Sequence, residues 1–295
     1  MRESLIDGVN IRELYYISNN ASKFYNKIEI PKKKGGIRII YAPQDKLKYC
    51  QQFIVKNYLD DYTVSKYATA YHKGASILSN ASPHTNRKNI LKLDIKNFFD
   101  SIDFVKVYNV FYEHYPQDVS KLFAELCCYK DRLVQGSPAS PTLSNLVMRR
   151  FDNTLGKWCD ERNISYTRYC DDLTFSSNDD LHMAYHKAKR MLYNMGFELN
   201  GRKTHFVNSN YQQNVTGVVV NEKPQVSSDY RRKLRQEIFY CRKFGVENHM
   251  SHSGIDADKD DYLKSLVGKV NYVLTINPDD KEMQEYKLLL KTMQQ

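Results

Sequence analysis

Two adjacent aspartates, Asp171 and Asp172, stand in the middle of an alternating segment, and that placement restricts the fold more than any other feature of the chain. From Ile164 to Ser176 the pattern puts Tyr166, Arg168 and Cys170 on one parity, and Leu173 and Phe175 continue it beyond the acidic pair. This predicts a strand, an acidic tip and a second strand. Successive strand side chains point to opposite faces, so both carboxylates can approach one metal cluster only where the backbone turns. Like charges so close repel strongly unless one takes a proton or a divalent cation neutralises both. An isolated Asp pair in a turn is ordinary solvated turn chemistry, and three other segments shift the balance towards a site.

The first runs from Asn89 to Ile102, where a short apolar strand delivers Asp94 at its end. A third carboxylate opposite the acidic hairpin gives the ligand set that holds two Mg²⁺ ions close together. Such a site drives phosphoryl transfer: one ion lowers the pKa of an attacking hydroxyl, and the other neutralises a triphosphate and its leaving pyrophosphate. The second is Gln135-Gly136-Ser137-Pro138-Ala139-Ser140-Pro141, followed by helical spacing in Leu143, Leu146, Val147, Phe151 and Leu155. Ser140 is expected to cap that helix with Pro141 at its first position, and Gly136 to let the backbone approach a base pair closely. The third, Gly196 to Thr204, brings Lys203 back after another helix, where a lysine can protonate a leaving group.

In this order the motifs resemble those of a reverse transcriptase, and more narrowly a bacterial retron reverse transcriptase, over nearly the whole chain. Asp94 is similar to the motif A aspartate, the Gln135 segment to motif B, Tyr169 to Asp172 to the YxDD box, and Lys203 to the motif D lysine. Asn80-Ala81-Ser82-Pro83-His84 resembles the NAxxH element of retron enzymes, and Val215-Thr216-Gly217 their VTG element. Each is short, and together around the catalytic motifs they are specific. Two positions depart from the pattern: Cys170 stands where most retron enzymes have alanine, which bears on primer positioning, and Val134 stands where the family has the proline of LPQG. Losing that proline frees one backbone angle.

The resemblance implies RNA-directed DNA synthesis from deoxynucleoside triphosphates by two-metal catalysis, with Mg²⁺ as cofactor and Mn²⁺ as a substitute. Asp94 and Asp171 are then the main ligands, Asp172 completes the charge, and the Ile95 carbonyl assists. Phe99, five residues after Asp94, falls where the family sets a ring under the sugar to clash with a 2′-hydroxyl; the alternative is that Phe98 and Phe99 are core, and one of them is expected to be. Gln135 and Gly136 are expected to shape the nucleotide and template pocket, and Tyr169 to lie by the nucleic acid. The resemblance also implies a cognate structured noncoding RNA, synthesis begun from an internal guanosine 2′-hydroxyl, a branched RNA-DNA product, and an effector protein in defence against phage. Asn80, His84, Val215, Thr216 and Gly217 are the expected RNA contacts.

The fold class expected is α+β: a right-hand polymerase with fingers and a split βαβ palm over residues 1–223, and a small helical thumb over 224–295. Lys27 to Ile30 and Ile37 to Tyr41 predict a first hairpin about a lysine turn. There Arg38 can clamp a triphosphate by bidentate hydrogen bonds, while Lys32 to Lys34 read equally well as a solvated turn. Helices are expected through Leu47 to Leu59, from Phe104 to Tyr129, and from Ala184 to Met195. Glu198-Leu199 and Val215 to Val220 are expected to be strands. Past Pro224, Ser227 or Ser228 caps a helix whose Arg231, Arg235 and Arg242 form a stripe able to track a phosphate backbone, or else a solvated face.

Bulk composition agrees without deciding. A formal charge of +10 suits a polyanionic partner, though a basic soluble surface gives the same number. The 23 tyrosines can stack on bases or simply pack. Six cysteines lack CxxC spacing, which argues against a zinc ribbon or a disulfide framework. His182 and His186 lack a zincin's glutamate, since Met183 stands there, so they read as surface histidines. No apolar signal region or membrane-length stretch is present, which predicts a bacterial cytoplasmic location and no membrane partner. Two rival functions remain: another bacterial reverse transcriptase of the group II intron kind, for whose extra domains the chain is expected to be too short, and a noncatalytic RNA-binding scaffold, against which the intact aspartates argue.

Overall fold

The computed structural model describes residues 5–31 and 35–294; the chain start at 1–4 and the lysine turn at 32–34 lie outside them. In chain order the elements begin with α1 (Ile11–Asn19), β1 (Tyr25–Pro31), β2 (Ile37–Pro43) and α2 (Asp45–Ile54), continued by a wider turn, Val55–Leu59. Next come α3 (Ile77–Ala81), β3 (Asn89–Asp94), α4 (Phe104–Tyr112), α5 (Gln117–Cys127) and α6 (Ser140–Asp160). The acidic hairpin is β4 (Ser165–Tyr169) and β5 (Asp172–Ser177), followed by α7 (His182–Asn194) and β6 (His205–Asn208). A small pair, β7 (Asn214–Val215) and β8 (Val218–Val219), precedes α8 (Ser228–Phe244), α9 (Val246–His252), α10 (Lys259–Ile276) and α11 (Lys281–Met293). These elements form two compact units, one of residues 1–75, 91–176 and 180–206, the other of residues 76–90, 177–179 and 207–295.

The sheet that organises the first unit runs β4-β5-β3-β6. With helices between β3 and β4 and between β5 and β6, this is the expected split βαβ order. Leu91 and Leu93 of β3 are buried along with Asp94, and Tyr166, Thr167 and Arg168 are buried in succession along β4. Burial on both faces marks strands covered on both sides, which explains the mostly apolar run before Asp94, interrupted only by the half-buried Lys92. β1 and β2 pair antiparallel from Tyr25↔Pro43 to Pro31↔Ile37. α6 packs on β4 and on α7, and α7 buries Ala184, Ala188 and Leu192.

Two expectations for this unit are corrected. The N-cap of α6 is Ala139, with Ser140 already helical. Ser137 takes over the pinning role, its hydroxyl accepting from the Ala139 N–H at 3.2 Å and donating to Gln51 Oε1 at 2.9 Å. Glu198-Leu199 is not a strand: Leu199 makes one isolated bridge to Ile95. The chain then tightens into the turn Gly201–Lys203, which ends the pairing.

In the second unit, Val215 to Val220 is a hairpin rather than one strand. Thr216 and Gly217 both have positive φ, 46° and 88°, the conformation of a tight two-residue reversal. Val215, Val218, Val220 and Val226 pack with Leu234, Ile238, Leu263 and Leu266 in its core. Ser227 caps α8 as expected, accepting from Tyr230 N–H at 3.2 Å. This unit includes residues 76–90 and 207–223 as well as the C-terminal helices, so its limits differ from the expected break at 223/224.

Candidate active site

A cleft of about 820 Å³ in the first unit collects residues that are far apart in sequence. Arg38 comes from β2, Asp94 and Ile95 from the end of β3, Gln135 and Gly136 from the loop before α6, Asp171 from the hairpin tip, and Lys203 from the turn after α7. Phe99 and the buried Phe98 line it too, their ring centres 5.5 Å apart. Phe98 is in the core and Phe99 only partly so. Asp172 and Tyr169 lie outside the lining; they face each other as the last pair of the β4–β5 ladder.

The tip itself is unusual. Tyr169 pairs with Asp172, so the reversal is made by Cys170 and Asp171 alone. Cys170 has φ 60°, a conformation costly for a residue with a β-carbon unless its surroundings enforce it. Here they do. Arg168 Nη1 donates to the Cys170 carbonyl at 3.0 Å, the Tyr71 hydroxyl donates to Cys170 Sγ at 3.2 Å, and Ile95 N–H donates to the Asp171 carbonyl at 2.9 Å. The last bond joins the end of β3 to the tip, which places Asp94 and Asp171 on one cleft.

Arg168 is fully buried, and its partner is the equally buried Asp152 of α6. Nε donates to Asp152 Oδ1 at 2.9 Å and Nη2 to Oδ2 at 2.6 Å, the two-pronged geometry of guanidinium on carboxylate. The Tyr166 hydroxyl also donates to Asp152 Oδ1, at 2.8 Å. Nη2 reaches Asn145 Oδ1 at 3.1 Å, and Asn145 Nδ2 donates to the Ala70 carbonyl at 2.7 Å. The chain leading to Tyr71 is therefore tied to the same network.

The carboxylates leave a surplus of negative charge. Partial burial and the charges of Asp171 and Asp94 push Asp172 up to about 6, although part of its surface meets solvent. Asp94 is buried, and its Oδ2 accepts from Lys203 Nζ at 2.5 Å. That bond holds Lys203 above the usual lysine range, so it keeps its proton. Among the described residues no three His, Cys, Asp or Glu side chains are gathered tightly enough to ligate one ion as they stand. The donor set nevertheless fits a hard divalent cation: the oxygens are anionic, they repel one another, and they have drawn in an ammonium group.

Gly136 does lie in the cleft, but what its missing side chain makes room for is β2. A β-carbon there would fall 2.5 Å from Ile40 Cγ2 and 2.7 Å from the Tyr41 carbonyl, at φ 110°, and the Gln135 carbonyl accepts from Tyr41 N–H at 2.8 Å. Val134, in place of the family's proline, is buried in the core.

The expected RNA contacts are in the second unit and mostly face inward. Asn80, His84 and Val215 are buried, and Asn80 Nδ2 donates to Thr216 Oγ1 at 3.2 Å. Burial and the charge of Arg87 push His84 down to about 3, so it is neutral. The two short motifs thus brace each other, and Thr216 and Gly217 alone of these five reach the surface. Arg231 of α8 is bonded to Asp280 and to Glu282, and Arg235 to Glu282 at 2.6 Å. Both arginines fasten α8 to the start of α11, whereas Arg242 of the same expected stripe is exposed and makes no ion pair among the described residues. His182 is paired with Asp180 at 2.6 Å and stacked on Phe206.

Sequence reasoning missed Asp152, Asn145, Tyr71 and Asn200, whose N–H donates to the Asp94 carbonyl at 2.8 Å. A signal for Asp152 existed: Arg168 shares a parity with Tyr166 and Cys170, and a charge on a buried face requires a partner.

The family model for reverse transcriptase (RNA-dependent DNA polymerase) matches residues 30–225. The chain belongs to that family, and its α+β fold is the family's. Retron Ec86 reverse transcriptase of Escherichia coli is 33% identical, over 77% of this chain and 74% of the relative. Retron Ec83 reverse transcriptase of Escherichia coli is 32% identical over 85% and 84%, and retron Mx65 reverse transcriptase of Myxococcus xanthus 32% over 88% and 63%. The enzyme is an RNA-directed DNA polymerase of the retron type. Among solved structures it is similar to a Candida tropicalis telomerase truncated from its C-terminal domain, with 13% identity, a TM-score of 0.47, and 72% and 59% of the two chains covered.

The Arg168 network predicts a measurable stability effect. Arg168→Met leaves the Asp152 charge buried and unpaired and should lower the unfolding free energy by about 3–5 kcal/mol in urea titration, while adding Asp152→Leu should restore much of the loss. A loss under ~1 kcal/mol for the single variant would mean that the pair does not hold the hairpin.

Proposed function

We propose that this polymerase copies a cognate structured noncoding RNA, encoded beside it, into DNA that stays joined to the RNA through a guanosine 2′-hydroxyl. It would do so in a bacterial cytoplasm and with an effector protein in defence against phage. The observation that carries the catalytic part is the single cleft containing Asp94, Asp171, Arg38 and Lys203. The retron part rests on the relatives and on the paired NAxxH and VTG elements.

Asp94 and Asp171 would hold a pair of Mg²⁺ ions, replaceable by Mn²⁺, with Asp172 adding charge and the Ile95 carbonyl a further oxygen. When bound, those ions supply Lewis-acid activation of the primer hydroxyl and neutralise the triphosphate. Arg38 binds the triphosphate of the incoming deoxynucleotide through its guanidinium fork. Phe99, half-buried against Phe98, sits under the sugar and excludes a 2′-hydroxyl. Gln135 and Gly136 present main chain to the new base pair, kept in place by the bond from Tyr41. Lys203 donates a proton to the leaving pyrophosphate once it has released Asp94. Asp172, raised towards neutral pH, serves the field around the site more than direct binding.

Primer extension on an RNA template tests this reading. Asp171→Asn should reduce extension on the order of 10³-fold, the equivalent of several kcal/mol of charge stabilisation; equal rates in parent and variant would exclude the mechanism. Phe99→Ala should raise ribonucleotide incorporation relative to deoxynucleotide on the order of 10-fold, and unchanged selectivity would remove Phe99 as the sugar gate. Sequencing the nucleic acid that co-purifies decides the retron part: a uniform short RNA joined to DNA supports it, and a random mixture of cellular RNA counts against it.

A further inference from the structure

α7 bears a second cleft, of about 960 Å³, lined wholly by first-unit residues. Its inner face is spent on Ala184, Ala188 and Leu192. The other side presents Met183, His186, Lys187, Arg190 and Tyr193 to the groove, at the three- and four-residue spacing of one helical face. Lys189 stands beside them with its ammonium 5.7 Å from the centre of the Tyr185 ring. Trp158 adds an aromatic wall, with the Arg162 guanidinium 4.5 Å over its ring. Tyr193 is 77% exposed and Met183 67%, so neither is there to complete the core.

The charge on this groove is uncompensated. α7 contains no Asp or Glu, and among the described residues Lys187, Lys189 and Arg190 make no ion pair, in contrast to Arg231 and Arg235 of α8. The one acid in the lining, Glu198, is matched by Lys96 at 3.2 Å. Unpaired cations beside an exposed ring, here Tyr193, are what a nucleic-acid strand needs, since cations neutralise phosphates and a ring accepts a base or sugar. The groove is also distinct from the catalytic cleft. The stretch after α7 lends Phe197, Glu198, Leu199, Gly201 and Thr204 to this groove and Asn200 and Lys203 to the other, and no residue lines both.

We infer that the α7 groove docks structured RNA through its phosphodiester backbone, at a place separate from the one where template and primer are read. This deepens the proposed function by saying where RNA outside the template is held. Lys187, Lys189 and Arg190 take the phosphates; Tyr193 takes an unpaired base or a ribose face.

The test uses the full chain with its catalytic cleft filled by poly(rA) primed with oligo(dT), and measures binding of a labelled RNA stem-loop across a salt series. The variant Lys187→Glu/Lys189→Glu/Arg190→Glu, and its milder form with Gln at the same three positions, should bind the stem-loop at least ~10-fold more weakly, and the plot of log affinity against log salt should be shallower by about 2. Extension of the oligo(dT) primer should stay within about twofold in both. Tyr193→Ala should weaken the stem-loop at least ~5-fold without changing the salt slope. Unchanged affinity and slope in both triple variants would overturn the inference and leave the groove to a protein partner. Loss confined to a DNA stem-loop of the same sequence would overturn it too, as would an equal fall in binding and extension, which would make the groove part of the template path. If the parent bound the stem-loop through these residues but extended no primer, the proposed function would fail and the docking surface would stand.

Discussion

One buried ion pair underlies the catalytic geometry. Arg168 and Asp152 are both without solvent contact, and the arginine has a further hydrogen to give, to the carbonyl of Cys170. Taking both charges out of water is costly, and a pair of apolar residues would fill the same space without that cost. What an apolar pair would not supply is a directional donor behind the hairpin tip. The free energy that the pair gives up in desolvation is returned as the position of one carbonyl, and so of the neighbouring Asp171.

A second constraint follows from the first. Once the tip is fixed beside the end of β3 by the bond between Ile95 and Asp171, three carboxylates must coexist at close quarters. The protein answers partly by raising Asp172 and partly by placing Lys203 on Asp94. Both responses are those of a site short of positive charge. Lys203 is thereby held on the Asp94 carboxylate, while the turn that carries it, Gly201–Lys203, is open to solvent.

Elements with a period or a local code were legible in the sequence. The hairpin about the acidic pair, β3 with Asp94, α7 ending before Gly196, and Ser227 as the cap of α8 all follow from short-range patterning, and the sheet order follows from the alternation of strands and helices. What could not be read depended on which side chain meets which across the fold. Nothing near Arg231 or Arg235 announces that Asp280 and Glu282 will take them. The NAxxH and VTG elements likewise look like recognition motifs in isolation, but Asn80 meets Thr216, and Asn80, His84 and Val215 are buried. A stripe of arginines reads the same whether it is free or paired. Nothing local on α7 announces that Lys187, Lys189 and Arg190 border a groove whose one lining acid, Glu198, is already matched by Lys96.

The departure at Cys170 is best judged from the space around it. An alanine would leave the Tyr71 hydroxyl without the Sγ atom it now donates to, and the tip would be held by Arg168 and Ile95 alone. Tyr71 is itself at φ 63°, and its segment is locked to β4 by the Thr69 N–H on the Arg168 carbonyl at 2.8 Å. Two left-handed residues thus face each other across a single hydroxyl-to-thiol bond, one on each wall of the turn. Burial and the adjacent Asp171 push the Cys170 thiol up to about 12, so it stays protonated and is a poor nucleophile. The sulfur acts here as bulk and as an acceptor. It stiffens the acidic tip from the side opposite Arg168, which a methyl group cannot do.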